Sequence, residues 1–363
     1  MNEITYIRLY HFQRKCQYKG FKVINQKTRY NYEMTNLYSP CLLCPRNCGV
    51  DRLGGKTGFC GEGADLRIAF AGIHRGEEPP LVGTGGSGTI FVSGCNLGCV
   101  FCQNYQISQR EGDGASLGRE VSTEDFAAIC AALADKGAEN INIVTGSHAV
   151  PRIIEGICAA RRAGVRLPVL WNSSAYENVE TLELLREYVD VFLPDLKTLD
   201  SGIAAKFFNA PKPPPRPKGE GSPLDYPSVA QAAILKMCEM TQTRASAGAH
   251  ADAREKVIVR HLILPEYLES TRQVLRWFAE NVKDRALLSL MTQYTPIPGR
   301  ENTAPGRYLS KEEYETVVTW LEEFKIEDGF CQELVTGSDW LPDFKRSNPF
   351  SSELSVPVWS WAN

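Results

Sequence analysis

Three cysteines, Cys95, Cys99 and Cys102, lie within eight residues and directly follow a short apolar run at 89–93. Thiolates suit iron–sulfur clusters, and three of them leave one iron of a four-iron cluster without a protein ligand. A catalytic metal needs such an open position, whereas a structural site is normally closed. Two other interpretations are unrelated buried cysteines and part of a zinc knuckle, although no further cysteine or histidine follows before Cys130.

Four more cysteines lie upstream, at Cys41, Cys44, Cys48 and Cys60. Residues 39–64 hold too few apolar side chains for a core of their own, so we expect them to fold around a metal. Four thiolates form a closed site that fits either zinc or a second iron–sulfur cluster. The sequence leaves the choice between these two metals open.

The cysteine loop must be positioned by the elements that follow it. Short apolar runs, typical of strands covered on both faces, alternate with helical patterns. Ser122, with Asp125 three residues later, predicts the start of one of these helices. Six such βα units predict a partial (βα)6 TIM-like barrel of parallel strands, an α/β fold with reactive groups at the carboxyl ends of its strands. The predicted strands lie at 89–93, 140–144, 169–171, 189–193, 256–264 and 287–291.

The chain divides by composition into four parts. We expect an N-terminal extension at 1–38, the cysteine-rich segment at 39–64, the barrel at 65–330 and a C-terminal tail at 331–363. Two insertions within the barrel predict exposed loops, a proline-rich one at 209–223 and an Ala/Ser/His-rich one at 245–254.

Composition narrows the class of protein. The chain has 363 residues, a net charge of −3 and a pI of about 6.1, which argues against a nucleic-acid partner. No run approaches the roughly 18 apolar residues that span a bilayer, so we expect no membrane segment. The first residues lack the pattern of a signal peptide, which predicts a cytoplasmic protein. In a reducing compartment its 12 cysteines are expected to be metal ligands or free thiols.

The cysteine loop, Cys-Asn-Leu-Gly-Cys-Val-Phe-Cys-Gln-Asn, resembles the signature of the radical S-adenosylmethionine superfamily. Its fuller string is similar to that of pyruvate formate-lyase activating enzyme and its uncharacterised relatives. Three later segments resemble the family's strands in the same order, and the resemblance covers roughly 65–330. These segments are 191–197, 258–265 and 290–296.

The resemblance implies an enzyme that binds S-adenosylmethionine at the open iron of a [4Fe–4S] cluster, cleaves it reductively and abstracts a hydrogen atom from a substrate. It also implies a reductant such as flavodoxin or ferredoxin. The substrate is expected to be either a glycyl radical protein that this enzyme activates, or a small molecule or peptide. The alternative of another class is a non-catalytic protein, either an iron–sulfur electron carrier or a zinc protein. An electron carrier needs no polar pocket at its strand ends.

Three residues are assigned to the cofactor by the resemblance. Phe101, between the last two cluster ligands, is expected against the adenine, with loop packing as its other role. Asn172 and Ser173 end the third strand and are predicted to bind the ribose or the methionine moiety, the alternative being an ordinary turn.

Three charged residues interrupt apolar strands. Asp195 and Lys197 are two apart and should face the same side. Because unpaired charges in apolar surroundings are costly, we predict that both, with Arg260, bind S-adenosylmethionine. The alternative for Arg260 is a structural ion pair with Asp195.

The second strand departs from the family because it ends without the Gly-Gly-Glu that contacts the methionine amino group. Ser147 is the predicted substitute, and His148 either reaches the substrate or starts a helix. His74, Glu77 and Glu78 are predicted to lie on the surface, the alternative being a place at the mouth of the cluster.

Overall fold

A computed structural model describes most of the chain. Most of the two predicted loop insertions, 211–223 of the first and 246–254 of the second, lies outside the described residues, as do Cys16 and most of the extension at 1–38. The described residues are 6–8, 36–109, 116–210, 225–245, 256–300, 303–338 and 340–363. Within them, no helix combines the length and apolar character needed to cross a membrane.

All six predicted barrel strands are present. They are β3 (Ser87–Val92), β5 (Ile141–Val144), β6 (Val169–Ser173), β7 (Val191–Pro194), β8 (Ile258–Leu262) and β9 (Leu287–Met291). The other strands of the described residues are β1 (Tyr6–Arg8), β2 (Arg67–His74), β4 (Arg119–Glu120), β10 (Gly329–Gln332) and β11 (Ser355–Ser360). The continuous apolar runs therefore formed strands that are buried on both faces, as predicted.

The strands form a partial α/β barrel, which confirms the predicted fold class. Parallel pairing runs from β3 through β5 and β6 to β7, and from β8 through β9 to β10. Bridges between β7 and β8 join these two parts. An apolar cluster shared by β6, β7, β8 and β10 fills the interior, which requires the sheet to curl. Antiparallel β2 and β11 extend the β3 edge.

Helices cover the outside of the barrel and build its main core. The predicted helix start at Ser122 is confirmed, since its side chain accepts a hydrogen bond from Asp125 N in a capping box. The helices of the described residues are α1 (Pro79–Val82), α2 (Tyr105–Ser108), α3 (Thr123–Asp135), α4 (Val150–Arg162), α5 (Val179–Leu184), α6 (Ser201–Phe207), α7 (Tyr226–Ala245), α8 (Leu268–Asn281) and α9 (Lys311–Glu323).

The segment at 331–363 is not a separate tail, which corrects the predicted boundary at residue 330. Its strand β11 pairs with β2, and its Phe344 and Phe350 pack on Phe70 and Phe91. Phe91 lies on the inner face of β3, so these aromatic rings cover one flank of the partial barrel. The sequence did not reveal this because the contacts join parts of the chain more than 200 residues apart.

Candidate functional site

The three-cysteine loop leaves the carboxyl end of β3, where the predicted architecture places reactive groups. Gly94 begins the loop with a φ of 79°, and its N–H donates to the Ile107 carbonyl at 2.7 Å. A Cβ at Gly94 would lie 2.8 Å from the Cys60 carbonyl oxygen, so only glycine allows this close approach. The loop is therefore packed directly against the upstream cysteine segment.

The thiols of this loop share one environment. Burial raises the pKa of Cys95 to about 12 and also raises the pKa of Cys99, and the charges of neighbouring thiolates add to both shifts. Cys95 Sγ accepts a hydrogen bond from Leu97 N at 3.4 Å, and Cys102 Sγ lies 3.3 Å from Ser108 Oγ. Three thiols, close enough to influence each other's ionisation, have the donor chemistry of an iron–sulfur cluster.

No three His, Cys, Asp or Glu side chains in the described ranges already stand in metal-binding geometry. The fit of the cluster to Cys95, Cys99 and Cys102 therefore rests on the chemistry of the loop and on its place at the strand ends.

A depression lies beside the cysteine loop and, with the solvent at its mouth, measures about 250 Å³. This is below the ~300–1,000 Å³ of most small-molecule sites. Phe101 lines it and also packs edge-on against Phe208, with ring centroids 5.5 Å apart. Both roles considered for Phe101 are thus compatible with its position. The lining residues are Phe101, Asp195, Lys197, Phe208, Leu262 and Leu264.

Asp195 and Lys197 face the same side of the chain, as predicted, and line this depression together. Lys197 Nζ donates to Asp195 Oδ2 at 2.7 Å. Burial alone would lower the pKa of Lys197, but the negative charges of Asp195 and Cys99 outweigh it and raise the pKa. Lys197 is therefore a permanently positive group close to the cysteine loop.

Arg260 has different partners from those the sequence predicted. It pairs in register with Asp195, but its side chain binds two carboxylates from the segment between β2 and β3. Arg260 Nε donates to Glu78 Oε1 at 2.9 Å, and Nη2 donates to Glu78 Oε2 and Glu77 Oε2, both at 2.5 Å. Glu78 is 1% exposed, which corrects its predicted surface position. The cofactor contact of Arg260 stays a prediction. His74 and Glu77 are partly buried.

Ser147 and Ser173 are brought together by Glu177, a residue that sequence reasoning missed. Glu177 Oε1 accepts from Ser147 Oγ and Trp171 Nε1, both at 2.8 Å, and Oε2 accepts from Ser173 Oγ at 2.6 Å. Burial raises the pKa of Glu177 against the opposing effect of these donors. Both serine hydroxyls donate to Glu177, and their contact with the cofactor stays a prediction. No sequence signal marks Glu177 as buried, because its neighbours in the chain are polar and further glutamates follow at 180 and 183.

Asn172 is half-buried at the end of β6. Its contact with the cofactor stays a prediction. His148 lies 2% exposed at the start of α4, with its Nε2 2.8 Å from the Ser93 carbonyl oxygen. Burial lowers its pKa to about 3, so the ring is neutral. His148 thus supports the base of the cysteine loop.

The four upstream cysteines belong to one segment, 39–64. The Cβ position of Gly58 lies 3.2 Å from Cys48 Sγ and 3.5 Å from Cys60 Sγ. Burial raises the pKa of Cys44 to about 12, and the charges of Cys60, Cys41 and Cys48 contribute to that shift. The four thiols therefore have the composition of a four-thiolate site, although no three of them, all among the described residues, stand in metal-binding geometry.

Two arginines, which the sequence did not single out, attach this segment to the barrel. Arg46 Nε donates to the carbonyl of Asn96, inside the cysteine loop, at 2.7 Å. Arg52 is buried, and its Nη1 donates to the His148 carbonyl at 2.7 Å. The upstream segment and the three-cysteine loop consequently form one continuous unit.

Comparison with known proteins places this geometry in a family. Residues 89–215, from β3 to beyond α6, match the family model of the Radical SAM superfamily. Over 296 residues the chain is 27% identical to an uncharacterised protein of Methanocaldococcus jannaschii, which covers 80% of this chain and 77% of that protein.

Among solved structures, SuiB of Streptococcus suis shares 14% identity at a TM-score of 0.41, over 67% of this chain and 47% of SuiB. The FeFe-hydrogenase maturase HydG of Carboxydothermus hydrogenoformans shares 12% identity at a TM-score of 0.42, over 65% of this chain and 50% of HydG. The chain thus spans about half the length of these two proteins. The family domain at 89–215 contains the three-cysteine loop and implies a [4Fe–4S] cluster and S-adenosylmethionine. Residues 89–215 therefore match a domain of the radical S-adenosylmethionine superfamily.

Proposed function

We propose that this protein is an enzyme that cleaves S-adenosylmethionine reductively and abstracts a hydrogen atom from a substrate held inside the barrel. Cys95, Cys99 and Cys102 would hold the [4Fe–4S] cluster. When bound, the cluster and S-adenosylmethionine supply the electron and the hydrogen-abstracting group. The observation that carries this proposal is the depression beside the cysteine loop, lined by an aromatic ring and by the Asp195–Lys197 pair.

The chain's own residues bind and orient the cofactor, and they exclude water from the site. Lys197 offers a fixed positive charge suited to a carboxylate, and Asp195 holds its ammonium group in place. Phe101 and Phe208 supply an apolar wall that keeps water from a reactive species. Asn172, at the end of β6, is our candidate for a polar contact with the ribose or methionine moiety.

The four upstream cysteines are proposed as a second metal centre, either an iron–sulfur cluster or zinc. The contact between the Cys60 carbonyl and Gly94 supports a position next to the catalytic loop. An iron–sulfur cluster there would suit electron delivery from a reductant such as flavodoxin or ferredoxin. Zinc would instead have a purely structural role.

Two substrate classes remain candidates. The resemblance to activating enzymes suggests a glycyl radical protein. A small molecule or peptide is favoured by Phe344 and Phe350, because these rings cover a flank through which a protein loop would otherwise enter.

The test is anaerobic reconstitution with iron, sulfide, S-adenosylmethionine and dithionite, followed by quantification of 5′-deoxyadenosine. Wild type should form it and Cys99→Ala should not. Cys130→Ala is the matched control, because Cys130 is a buried thiol in α3, remote from the loop in sequence. Cofactor cleavage by a Cys95/Cys99 double variant would refute the assignment.

A further inference from the structure

The interior of the barrel contains a charged cluster that the reaction described above does not use. We call Glu77, Glu78, Arg260 and Asn142 the floor cluster. Arg260 and Asn142 stand on the inner faces of β8 and β5, and the two glutamates enter from the segment before β3. Glu78, Arg260 and Asn142 are at most 6% exposed. The cluster is therefore part of the interior and not a solvated surface.

The charges of the floor cluster do not balance. Both oxygens of Glu78 bind Arg260, in a bidentate pair that satisfies this carboxylate. From Arg260, Glu77 accepts a hydrogen bond from Nη2 alone, and that group also donates to Glu78. Among the ion pairs of the described residues, Arg260 is the cation for both glutamates, so two negative charges face one positive charge.

The neighbouring groups do not remove this excess. Asp195 and Lys197 form their own neutral pair. His74 lies near Glu77, but burial lowers the pKa of His74, so the ring is neutral at pH 7. A negative charge that is largely buried and lacks a cation of its own is costly, and a bound cation would remove that cost.

One acceptor oxygen without a donor lies beside Glu77, on the side chain of Asn142. Asn142 Nδ2 donates to Glu77 Oε1 at 2.9 Å. The other atom of this amide, Asn142 Oδ1, is fully buried and has no hydrogen-bond partner. Glu77 and Asn142 together therefore present acceptors and negative charge, a combination that suits a group rich in N–H donors.

We propose that the floor cluster binds a cationic group of the substrate, an ammonium or guanidinium, at Glu77 and Asn142. The site neighbours the proposed cofactor site in the sheet, because Arg260 is the register partner of Asp195, which lines the depression beside the cysteine loop. A substrate bound in this way would hold its cationic end at the floor and its reacting carbon near the cluster. This assignment rests on the proposed function for its substrate role, but cation binding itself does not.

The test compares Glu77→Gln with Glu78→Gln by thermal unfolding of the full chain. Methylammonium and methylguanidinium chloride serve as probes, against sodium and tetramethylammonium chloride at equal ionic strength. Tetramethylammonium carries the same charge but has no N–H donor. We expect the N–H cations alone to raise the wild-type Tm, by about 2 °C at saturation. Glu77→Gln should abolish this rise while leaving the Tm without probe unchanged or higher.

Glu78→Gln is the matched control, because it breaks the bidentate pair and should lower the Tm without probe. Two results would overturn the proposal: equal destabilisation by both variants, or a wild-type response to sodium as large as to methylammonium. The measurement needs no cofactor cleavage. A specific cation response in a protein that forms no 5′-deoxyadenosine would refute the proposed function and support the cation site. A protein that forms 5′-deoxyadenosine but shows no specific cation response would support the proposed function and refute the cation site.

Discussion

Replacing Arg260 tests whether this residue holds the barrel together or binds the cofactor. In Arg260→Ala the three charged hydrogen bonds to Glu77 and Glu78 disappear, and both carboxylates stay in the interior. Removing one partner of a buried ion pair costs roughly 3–5 kcal/mol, because the remaining charge lacks compensation. We expect a loss of this size in the free energy of unfolding.

The matched control is Arg272→Ala. Arg272 pairs with Glu323 at 2.9 Å, but the side chains of this pair are 34% and 46% exposed. Exposed pairs contribute roughly 0–1 kcal/mol, so the same substitution there should cost far less. Urea unfolding at pH 7 measures both variants, and an unchanged m-value shows that the same surface is exposed on unfolding.

In Arg260→Ala, the contribution of Glu78 to the pH dependence of stability should also reverse its sign. In wild type, burial opposes the ionisation of Glu78, but Arg260 outweighs it and lowers the pKa below 4.5. Stability from Glu78 is then present above pH 4.5 and is lost as the pH falls through the folded pKa. In Arg260→Ala only burial remains, so the pKa of Glu78 should rise above 4.5 and the variant should gain stability as the pH falls from 7.

Iron content and S-adenosylmethionine affinity, measured on the reconstituted variant, complete the test. We expect both near wild type in the protein that remains folded. Near-normal stability with a strongly reduced affinity for S-adenosylmethionine would refute the structural role and indicate that Arg260 binds the cofactor.

Three further predictions follow from neighbouring groups. Lys197→Ala should keep the iron content and weaken S-adenosylmethionine binding by about 1–3 kcal/mol in isothermal titration, and unchanged affinity would contradict the role proposed for the Asp195–Lys197 pair. Cys44→Ala should remove one metal centre in elemental analysis and leave the catalytic cluster in place; an unaltered metal content would count against the upstream site. Burial lowers the pKa of His261 from 6.5 to about 4, so the unfolded chain takes up the proton first as the pH falls. Wild type should therefore lose about 2 kcal/mol of stability between pH 7 and pH 5 through this residue. His261→Gln should lack that part of the loss in urea unfolding, and an identical pH profile would refute it.

The sequence by itself determined the elements and the loop that carries the chemistry. Both depend on local patterns: continuous apolar runs form β3 and β5–β9, and Ser122 with Asp125 starts α3. The spacing of Cys95, Cys99 and Cys102 is equally local, because all three lie in one loop. The two-residue alternation of a strand was enough to predict that Asp195 and Lys197 face the same side.

The tertiary structure alone decided which polar groups meet. Arg260 binds Glu78 across 182 residues, and Ser147 binds Glu177 across 30. A charged residue in an apolar strand signals that it needs a partner, but it does not identify that partner. The identity of the partner depends on which side chains the curled sheet brings to the same level of the barrel interior. The C-terminal segment illustrates the same limit, because its aromatic residues had no sequence signal for the flank of the barrel that they cover.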